Sequence, residues 1–309
     1  MKALSQQDGT PRELCHLLQM RGPGKVTGRF DQVDIEAGEN HVMTGTGIAS
    51  MKGPLSYIGG KNRIAAKIIA TFPEHKTFVE VFAGGAQVFF HKEPSTVEVL
   101  NDIDGDVVTF FRVCQSHFAE LVRYMKFIVA SREWFDLLQS ADPKTLTDIQ
   151  RAARFFYLQK NAYAGLVRKR RFGYSITEPS RFNPARLPEL IEKAHERLAR
   201  VQIENLPYQD VLQRYDRPTT LFYLDPPYFG RKLYRFNFAD EDFATLADRL
   251  RKLRGMFVLS LNDVPEVRAL FADFKISEID LVYTAQRTAG KRFREVLITN
   301  APHRPGGRR

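Results

Sequence analysis

The chain has 309 residues, 43% of them hydrophobic, a composition that fits one large globular domain or a domain with an insertion. Its formal net charge of +10 fits a polyanionic partner but identifies none. The two cysteines, Cys15 and Cys114, show no ligand spacing, which argues against a disulfide framework and a metal site.

The two ends of the chain differ in composition from the middle. Residues 1–50 contain one aromatic residue, Phe30, and five basic against six acidic residues, whereas Met51 begins a segment that resembles an ordinary protein start. We predict a poorly ordered N-terminal extension at 1–50 and a frayed basic tail at 301–309. Neither a signal peptide nor an apolar run of about 18 residues is found, so we expect a soluble, cytoplasmic protein.

Strand-like and helix-like patterns alternate between these ends. Short apolar runs at 77–82, 96–100, 221–224 and 256–260 predict buried parallel strands. Apolar spacings of three and four predict helices at 63–72, 106–114, 243–253 and 264–271. This alternation predicts an α/β fold with a doubly wound sheet, in which ligands bind at the carboxyl ends of the strands.

Residues 115–201 interrupt the alternation with helical patterns only, among them 121–129, 145–163 and 187–201. We interpret this stretch as a helical insertion. Residues 51–114 and 202–300 then form the two parts of one sheet-bearing domain.

A glycine turn follows the first predicted strand, at Gly84-Gly85. Glycines allow a close approach of the backbone to a ligand, and the helix that follows offers free N–H groups, although an ordinary tight turn has the same pattern. Asp102 follows the next strand, where a carboxylate can accept both hydroxyl groups of a ribose. The loop lacks the GxGxxG pattern of dinucleotide sites, so the pair suits S-adenosylmethionine better than a pyrophosphate.

A second motif, Asp225-Pro226-Pro227-Tyr228, directly follows the apolar run 221–224. Consecutive prolines hold the backbone extended, which predicts a rigid loop at the end of a strand. The Asp225 carboxylate and the Pro226 carbonyl can both accept hydrogen bonds from one amino group, and Tyr228 offers a face on which a base can stack. A surface turn with a chance aspartate is the less favoured alternative.

Residues 151–175 combine seven Lys or Arg with six aromatic residues and contain no Asp or Glu. Cations attract phosphates and aromatic rings stack on bases, whereas a solvated helix face usually mixes charges of both signs. The segment therefore predicts nucleic-acid contacts, and we assign them to Lys160, Tyr163, Arg168, Lys169, Arg170 and Arg171.

Taken in chain order, these motifs resemble the Dam-like alpha group (D12 class) of DNA adenine-N6 methyltransferases. The resemblance covers roughly residues 55–300 and includes Tyr57 to Lys61, a target-recognition stretch at 158–168 and a closing strand at 293–300. It implies a doubly wound Rossmann-like methyltransferase sheet with an inserted helical target-recognition domain. It also implies S-adenosylmethionine as the cofactor and, as the substrate, an adenine flipped out of double-stranded DNA.

Carried over residue by residue, the resemblance implies three sets of site residues. The catalytic set is Asp225, Pro226, Pro227 and Tyr228. The cofactor set is Tyr57, Lys61, Glu80, Phe82, Gly84, Asp102, Asp210 and Asp225, with a loose local match at Asp210. Arg168 matches an arginine that reads guanine, but Ala164 replaces the asparagine of the family's Asn-Gly-Leu-x-Arg, so GATC or a related short site is expected.

Alternatives remain open at this point. The loop senses only an exocyclic amino group, so cytosine N4 or an adenine in RNA is a rival target, although cytosine-N4 enzymes more often carry Ser where Asp225 stands. A non-catalytic DNA-binding protein is disfavoured because Tyr57, Lys61, Asp102 and Asp225 are all present. We expect a monomer or weak dimer, and a cognate restriction nuclease is a conceivable partner.

Overall fold

A seven-stranded sheet lies at the centre of the described residues, 51–280 and 294–300, in this computed structural model. The strands are β1 Thr77–Glu80, β2 Val97–Asn101, β3 Gln202–Glu204, β4 Thr220–Leu224, β5 Met256–Asn262, β6 Lys275–Asp280 and β7 Arg294–Thr299. Their order in the sheet is β3-β2-β1-β4-β5-β7-β6. The pairs among β1 to β5 are parallel, and β7 is antiparallel to both of its neighbours. The predicted doubly wound α/β class is confirmed.

The helices connect these strands. They are α1 Ala65–Ile69, α2 Gln87–His91, α3 Gly105–Ser116, α4 Phe118–Met125, α5 Arg132–Ser140, α6 Asp148–Asn161, α7 Leu187–Leu198, α8 Tyr208–Tyr215, α9 Asp240–Arg251 and α10 Pro265–Leu270. Apolar periodicity predicts a range for each of them except α2, α5 and α8; α2 is the helix expected after the glycine turn, and α5 lies within the predicted helical stretch 115–201. The helix predicted at 63–72 is shorter than expected, because residues 61–63 form a 3₁₀ turn before α1 begins.

Both faces of the sheet are buried, which explains why the strands read as continuous apolar runs. Along β4, Leu221 and Tyr223 pack in one apolar cluster, whereas Phe222 and Leu224 pack in another. Side chains alternate between the faces of a strand, so a strand that is covered on both sides is apolar at most positions, and a buried polar residue there needs partners.

Residues 115–201, all of which are described, form helices α4 to α7 and no strand. These helices pack with α3 against one face of the sheet. The described residues belong to one compact unit, and a separate inserted domain remains a prediction. The predicted extension at 1–50 and the predicted tail at 301–309 lie outside the described residues. Within the described residues, no helix has the length and apolar character needed to cross a membrane.

A buried ion-pair network ties α7 to β2. Arg197 donates to both carboxylate oxygens of Glu98, at 2.9 Å to Oε1, and to the carbonyl of Phe89. Lys92 Nζ lies 2.7 Å from the same Oε1. The side chains of Lys92, Glu98 and Arg197 are at most 6% exposed, so each charge depends on its partners.

Candidate active site

A cavity of about 280 Å³ lies at the carboxyl ends of β1, β2 and β4. The strand order reverses between β1 and β4, since β2 and β3 lie on one side and β5 on the other. Ligands of open α/β sheets bind at such a switch point. Seven of the eight residues predicted to bind a cofactor line the cavity: Tyr57, Lys61, Glu80, Phe82, Gly84, Asp102 and Asp225.

The glycine turn holds the carboxylate of Asp102 at the cavity wall. The backbone N–H groups of Gly84 and Asp104 each donate to one Asp102 oxygen, both at 2.8 Å. Burial raises the pKa of Asp102 to about 6, although these two N–H groups oppose the shift. Gly84 has a φ of +46°, and a Cβ there would lie 3.0 Å from the Tyr57 ring, so this position requires glycine.

Aromatic rings form much of the remaining lining. The ring of Phe82 packs against those of Tyr208 and Phe238, with centroids 5.7 Å away in both cases. Tyr57 stacks with Tyr234 at a centroid distance of 6.3 Å. The sequence motifs do not identify Tyr208, Tyr234 or Phe238. Each of these aromatic residues follows a strand of the sheet and has polar neighbours in the sequence, and this pattern is a signal that could have found them.

Lys61 joins the catalytic loop to the cavity wall. Its ammonium group lies 2.8 Å from Asp225 Oδ1, 2.7 Å from Tyr228 Oη and 3.3 Å from the carbonyl of Gly59. Burial raises the pKa of Asp225 to about 6 despite the nearby Lys61. In Lys61, burial alone would lower the pKa, but Asp225 and Glu295 outweigh it and raise the pKa above its ordinary value.

The remaining predicted catalytic residues lie around Asp225. Pro227 lines the cavity, whereas Pro226 is buried behind it. Lys61 Nζ lies 4.9 Å from the centroid of the Tyr228 ring, at the end of the ring that carries the hydroxyl group. The side-chain amide of Asn262 bonds both the N–H and the carbonyl of Phe229, which fixes the end of the loop.

Glu80 and Asp210 differ in their relation to the cavity. Glu80 is buried at the end of β1, where burial raises its pKa well above the ordinary value and Oε2 accepts the N–H of Phe89. Asp210 is exposed on α8 and does not line the cavity, which Pro207, Tyr208 and Gln209 line instead. Residues two apart on a helix point about 200° apart, so Tyr208 and Asp210 face opposite ways.

The basic segment 151–175 divides into a surface part and an internal part. Tyr163, Arg168, Lys169 and Arg171 are exposed. Arg170 is partly buried, packs over the Phe155 ring and donates to Gln159. Burial lowers the pKa of Arg170 to about 10. Two further cations of the segment act inside the protein: Arg151 pairs with Asp106, and Arg154 bonds backbone carbonyls.

A second cavity, of about 740 Å³, shares the wall Tyr57 to Lys61 with the first. Its lining includes Lys52, Lys160 and Arg181. Burial lowers the pKa of Lys160 to about 8, and the charges of Lys52 and Arg181 contribute to that shift. This wall therefore separates an aromatic pocket from a positively charged one.

The exposed loop is docked on the same wall. Gln159 is fully buried, and its Nε2 donates to the carbonyls of Ser56 and Gly165, both at 2.7 Å. The N–H of Ile58 donates to the Gly165 carbonyl at 3.1 Å. Gly165 has a φ of +69°, and a Cβ there would lie 3.3 Å from Ile58 N and Ser56 O.

Substitution Gly165→Ala is expected to lower the free energy of unfolding by about 2 kcal/mol, from the positive φ and the contact with the wall. Urea unfolding measures this loss. Gly230→Ala is the matched control, because Gly230 has a φ of +70° but no atom within 4 Å of the added Cβ. Equal losses in both variants would show that the contact with the wall contributes nothing.

Within residues 51–280 and 294–300, no group of three or more His, Cys, Asp or Glu side chains could hold a metal ion. The chemistry that these residues support is that of a nucleoside-containing ligand beside a rigid, carboxylate-bearing loop. A doubly wound sheet with such a site at its switch point is typical of enzymes that bind a nucleoside-containing cofactor.

Comparison with known proteins identifies the family. The sequence profile of the D12 class N6 adenine-specific DNA methyltransferases matches residues 57–285, and the chain belongs to this family. The predicted family is thereby confirmed: the protein is an adenine-specific DNA methyltransferase, an enzyme that uses S-adenosylmethionine.

Individual relatives are distant in sequence. The chain is 23% identical over 257 residues to the Type II methyltransferase M.CviBI of Paramecium bursaria Chlorella virus NC1A, covering 81% of this chain and 98% of that protein. It is 26% identical over 233 residues to the Retron Ec67 DNA adenine methylase of Escherichia coli, covering 71% and 80%. Among solved structures, one described as a methyltransferase complexed with SAH is 12% identical, with 77% of this chain and 48% of that chain covered and a TM-score of 0.36.

Proposed function

We propose that this enzyme transfers a methyl group from S-adenosylmethionine to N6 of an adenine flipped out of a short site, GATC or a related one, in double-stranded DNA. The observation that carries the proposal is the hydrogen bonding of the two carboxylate oxygens of Asp225. Lys61 occupies Oδ1, whereas Oδ2 has no hydrogen-bond partner among the described residues. One carboxylate oxygen at the cavity is therefore available to a substrate amino group.

The cavity residues fit the cofactor. Asp102 can accept the ribose hydroxyls, and the rings of Phe82, Tyr208 and Phe238 can flank a flat adenine. Gly84 and Tyr57 lie side by side in the cavity wall, where they can contact the methionine portion. When bound, the cofactor supplies a methyl group on a sulfonium, which is an electrophile. The transfer from a sulfonium therefore does not require the cavity residues to bind a metal ion.

Asp225 and Pro226 act on the amino group of the substrate. The lone pair of adenine N6 is delocalised into the ring, so N6 is a weak nucleophile. Acceptance of the amino hydrogens by the Asp225 carboxylate, with the main-chain carbonyl of Pro226 as the second acceptor although Pro226 does not line the cavity, favours a more tetrahedral nitrogen and aims its lone pair. After methylation the nitrogen is cationic and acidic, so Asp225 need not remove a proton beforehand. Its main role is orientation and charge stabilisation.

The exposed cations are proposed to bind the duplex. Arg168, Lys169 and Arg171 lie on a loop docked beside the cavity wall, and Lys160 lines the basic cavity behind that wall. Cations of this kind attract phosphates irrespective of sequence, and the exposed ring of Tyr163 can stack or wedge against bases.

Sequencing of modified bases in DNA from cells that express this chain tests the proposal directly. We expect N6-methyladenine at one short motif, and its loss when Asp225 is replaced. N4-methylcytosine in that DNA, or methylation found only in RNA, would replace the proposed target with one of the rival targets.

Substitution Arg168→Ala is expected to relax one base of the recognised motif, because a bidentate arginine contact to guanine discriminates by about 1–3 kcal/mol. Methylation rates on duplexes with every single-base change measure this effect. The matched control is Arg171→Ala, which removes an equally exposed cation and should weaken all duplexes alike. A uniform loss for Arg168→Ala would make Arg168 a phosphate contact.

A further inference from the structure

Glu295 is a buried carboxylate next to the catalytic loop; it lies in the closing strand that the resemblance implies at 293–300 but is not among the predicted site residues. It lies on β7, paired with Asn262 of β5 and Ile279 of β6, and is 4% exposed. The Tyr228 hydroxyl bonds to Oε1, Ser260 Oγ lies 3.3 Å from Oε2, and Lys61 Nζ lies 3.7 Å from Oε1. A buried carboxylate is costly unless such partners satisfy it.

The hydrogen bonds of this cluster have a fixed direction. The Lys61 ammonium group has three donors and no acceptor, and its neighbours are Asp225, Tyr228 and the carbonyl of Gly59. The Tyr228 hydroxyl therefore accepts from Lys61, and its own proton goes to the Glu295 carboxylate. Because Glu295 takes this proton, Tyr228 does not compete with Lys61 or with a substrate for Asp225.

We propose that Glu295 is a positioning residue for methyl transfer, acting through Tyr228 and Lys61 on Asp225. It sets the direction of the Tyr228 proton and is a second counterion of Lys61, so that Lys61 holds Oδ1 of Asp225 and leaves Oδ2 to the amino group. The inference rests on the proposed role of Asp225. It adds a residue from the antiparallel strand β7 to a site otherwise built by the parallel strands, the loops at their ends and the segment before α1.

Glu295→Gln tests this role, because glutamine keeps the shape but loses the charge. We expect the single-turnover rate of methylation to fall about 10–100-fold, with the Kd values for cofactor and DNA within about 2-fold, since misplaced reacting groups lose rate rather than affinity. Single turnover with enzyme in excess separates this step from product release.

The pH profile gives a readout that a merely structural role would not change. The charged or titratable groups that face Asp225 are Lys61, Tyr223, Tyr228, Glu80 and Glu295. Activity requires ionised Asp225, so the wild-type rate should rise with pH through about 6, the pKa of this carboxyl. The Glu295 charge helps to raise that pKa, so Glu295→Gln should move the acidic limb to lower pH.

Glu278→Gln is the matched control. It removes a carboxylate from the neighbouring strand β6, where Glu278 is exposed and paired with Arg268, and should leave both the rate and the pH profile unchanged. Tyr228→Phe is the second variant in case Glu295→Gln does not fold. It should lose rate by a similar factor, and the double variant should lose no more than the larger single loss, because both changes break one chain of contacts.

The outcomes separate the two proposals. Near-normal activity of an Asp225→Asn variant would overturn both the proposed function and this inference. If Asp225→Asn is inactive while Glu295→Gln keeps its rate and its acidic limb, the role of Glu295 alone is overturned. An unchanged single-turnover rate in Tyr228→Phe, or additive losses in the double variant, would overturn it as well.

Discussion

Replacing Asp225 with asparagine is expected to lower the single-turnover rate of adenine methylation by about 10²–10³-fold, with DNA affinity changed by less than about 2-fold. Asparagine has nearly the same shape but only one oxygen. Lys61, 2.8 Å from Oδ1, would take that oxygen, and the amide NH₂ would face the cavity. Two donor groups would then oppose each other where the substrate amine must bind.

Transfer of labelled methyl groups to DNA measures the rate, and gel-shift titration measures DNA affinity. Asp263→Asn is the matched control, since Asp263 follows β5 and pairs with Arg268, away from the cavity lining. Its rate should stay close to that of the wild type. Turnover above about one tenth of normal in Asp225→Asn would show that the carboxylate has no catalytic role, because the loss of one transition-state hydrogen bond is expected to lower the rate at least 10²-fold.

Local patterns predict those parts of the fold that depend on local periodicity. The strands β1, β2, β4 and β5 are apolar at consecutive positions because both sheet faces are covered. Strand β3 has only three residues and is partly exposed, and α2 has five residues, so neither is long enough to show a period. The register and the order of the strands depend on pairing between segments that are far apart in the chain, and local sequence patterns carry no information about this pairing.

The same distinction holds for the site. Asp102 and Asp225 each follow an apolar strand directly, so their place at one edge of the sheet follows from the fold class. Glu295 lies in the predicted closing strand 293–300, but it reaches the site only because β7 pairs with β5, and the motif gives it no site role. The prediction that Arg170 contacts DNA rests on its charge, but Arg170 packs over the buried ring of Phe155. Composition does not distinguish a solvated cation from a cation that is partly buried in the protein.

Replacing Arg197 with methionine is expected to lower the free energy of unfolding at pH 7 by about 3 kcal/mol, because it leaves a buried carboxylate with one partner fewer. Arg197 bonds Glu98 and the Phe89 carbonyl, and its guanidinium lies 3.7 Å from the centroid of the Phe89 ring. Lys92 remains as a partner of Glu98, which keeps the loss near the lower end of the range for a broken buried pair. Urea unfolding measures the loss.

The pH dependence of this loss identifies its cause. Burial alone would raise the pKa of Glu98, but Arg197 and Lys92 outweigh it and lower the pKa below its ordinary value of 4.5. A group with a lowered folded-state pKa stabilises the protein above its unfolded pKa, and this contribution disappears as the pH falls through the folded pKa. The difference between wild type and Arg197→Met should therefore shrink as the pH falls below 4.5 and through the lowered pKa of Glu98 in the wild type.

Arg200→Met is the matched control, because Arg200 is exposed just beyond the end of α7 and its replacement should change stability by less than about 0.5 kcal/mol. Adding Glu98→Gln to Arg197→Met should restore part of the lost stability, since it removes the unbalanced charge. A loss in Arg197→Met that is the same at pH 7 and pH 4, and is not relieved by Glu98→Gln, would assign the effect to lost packing on Phe89. Helix α7 would then be attached to the sheet by apolar contact and not by the ion pair.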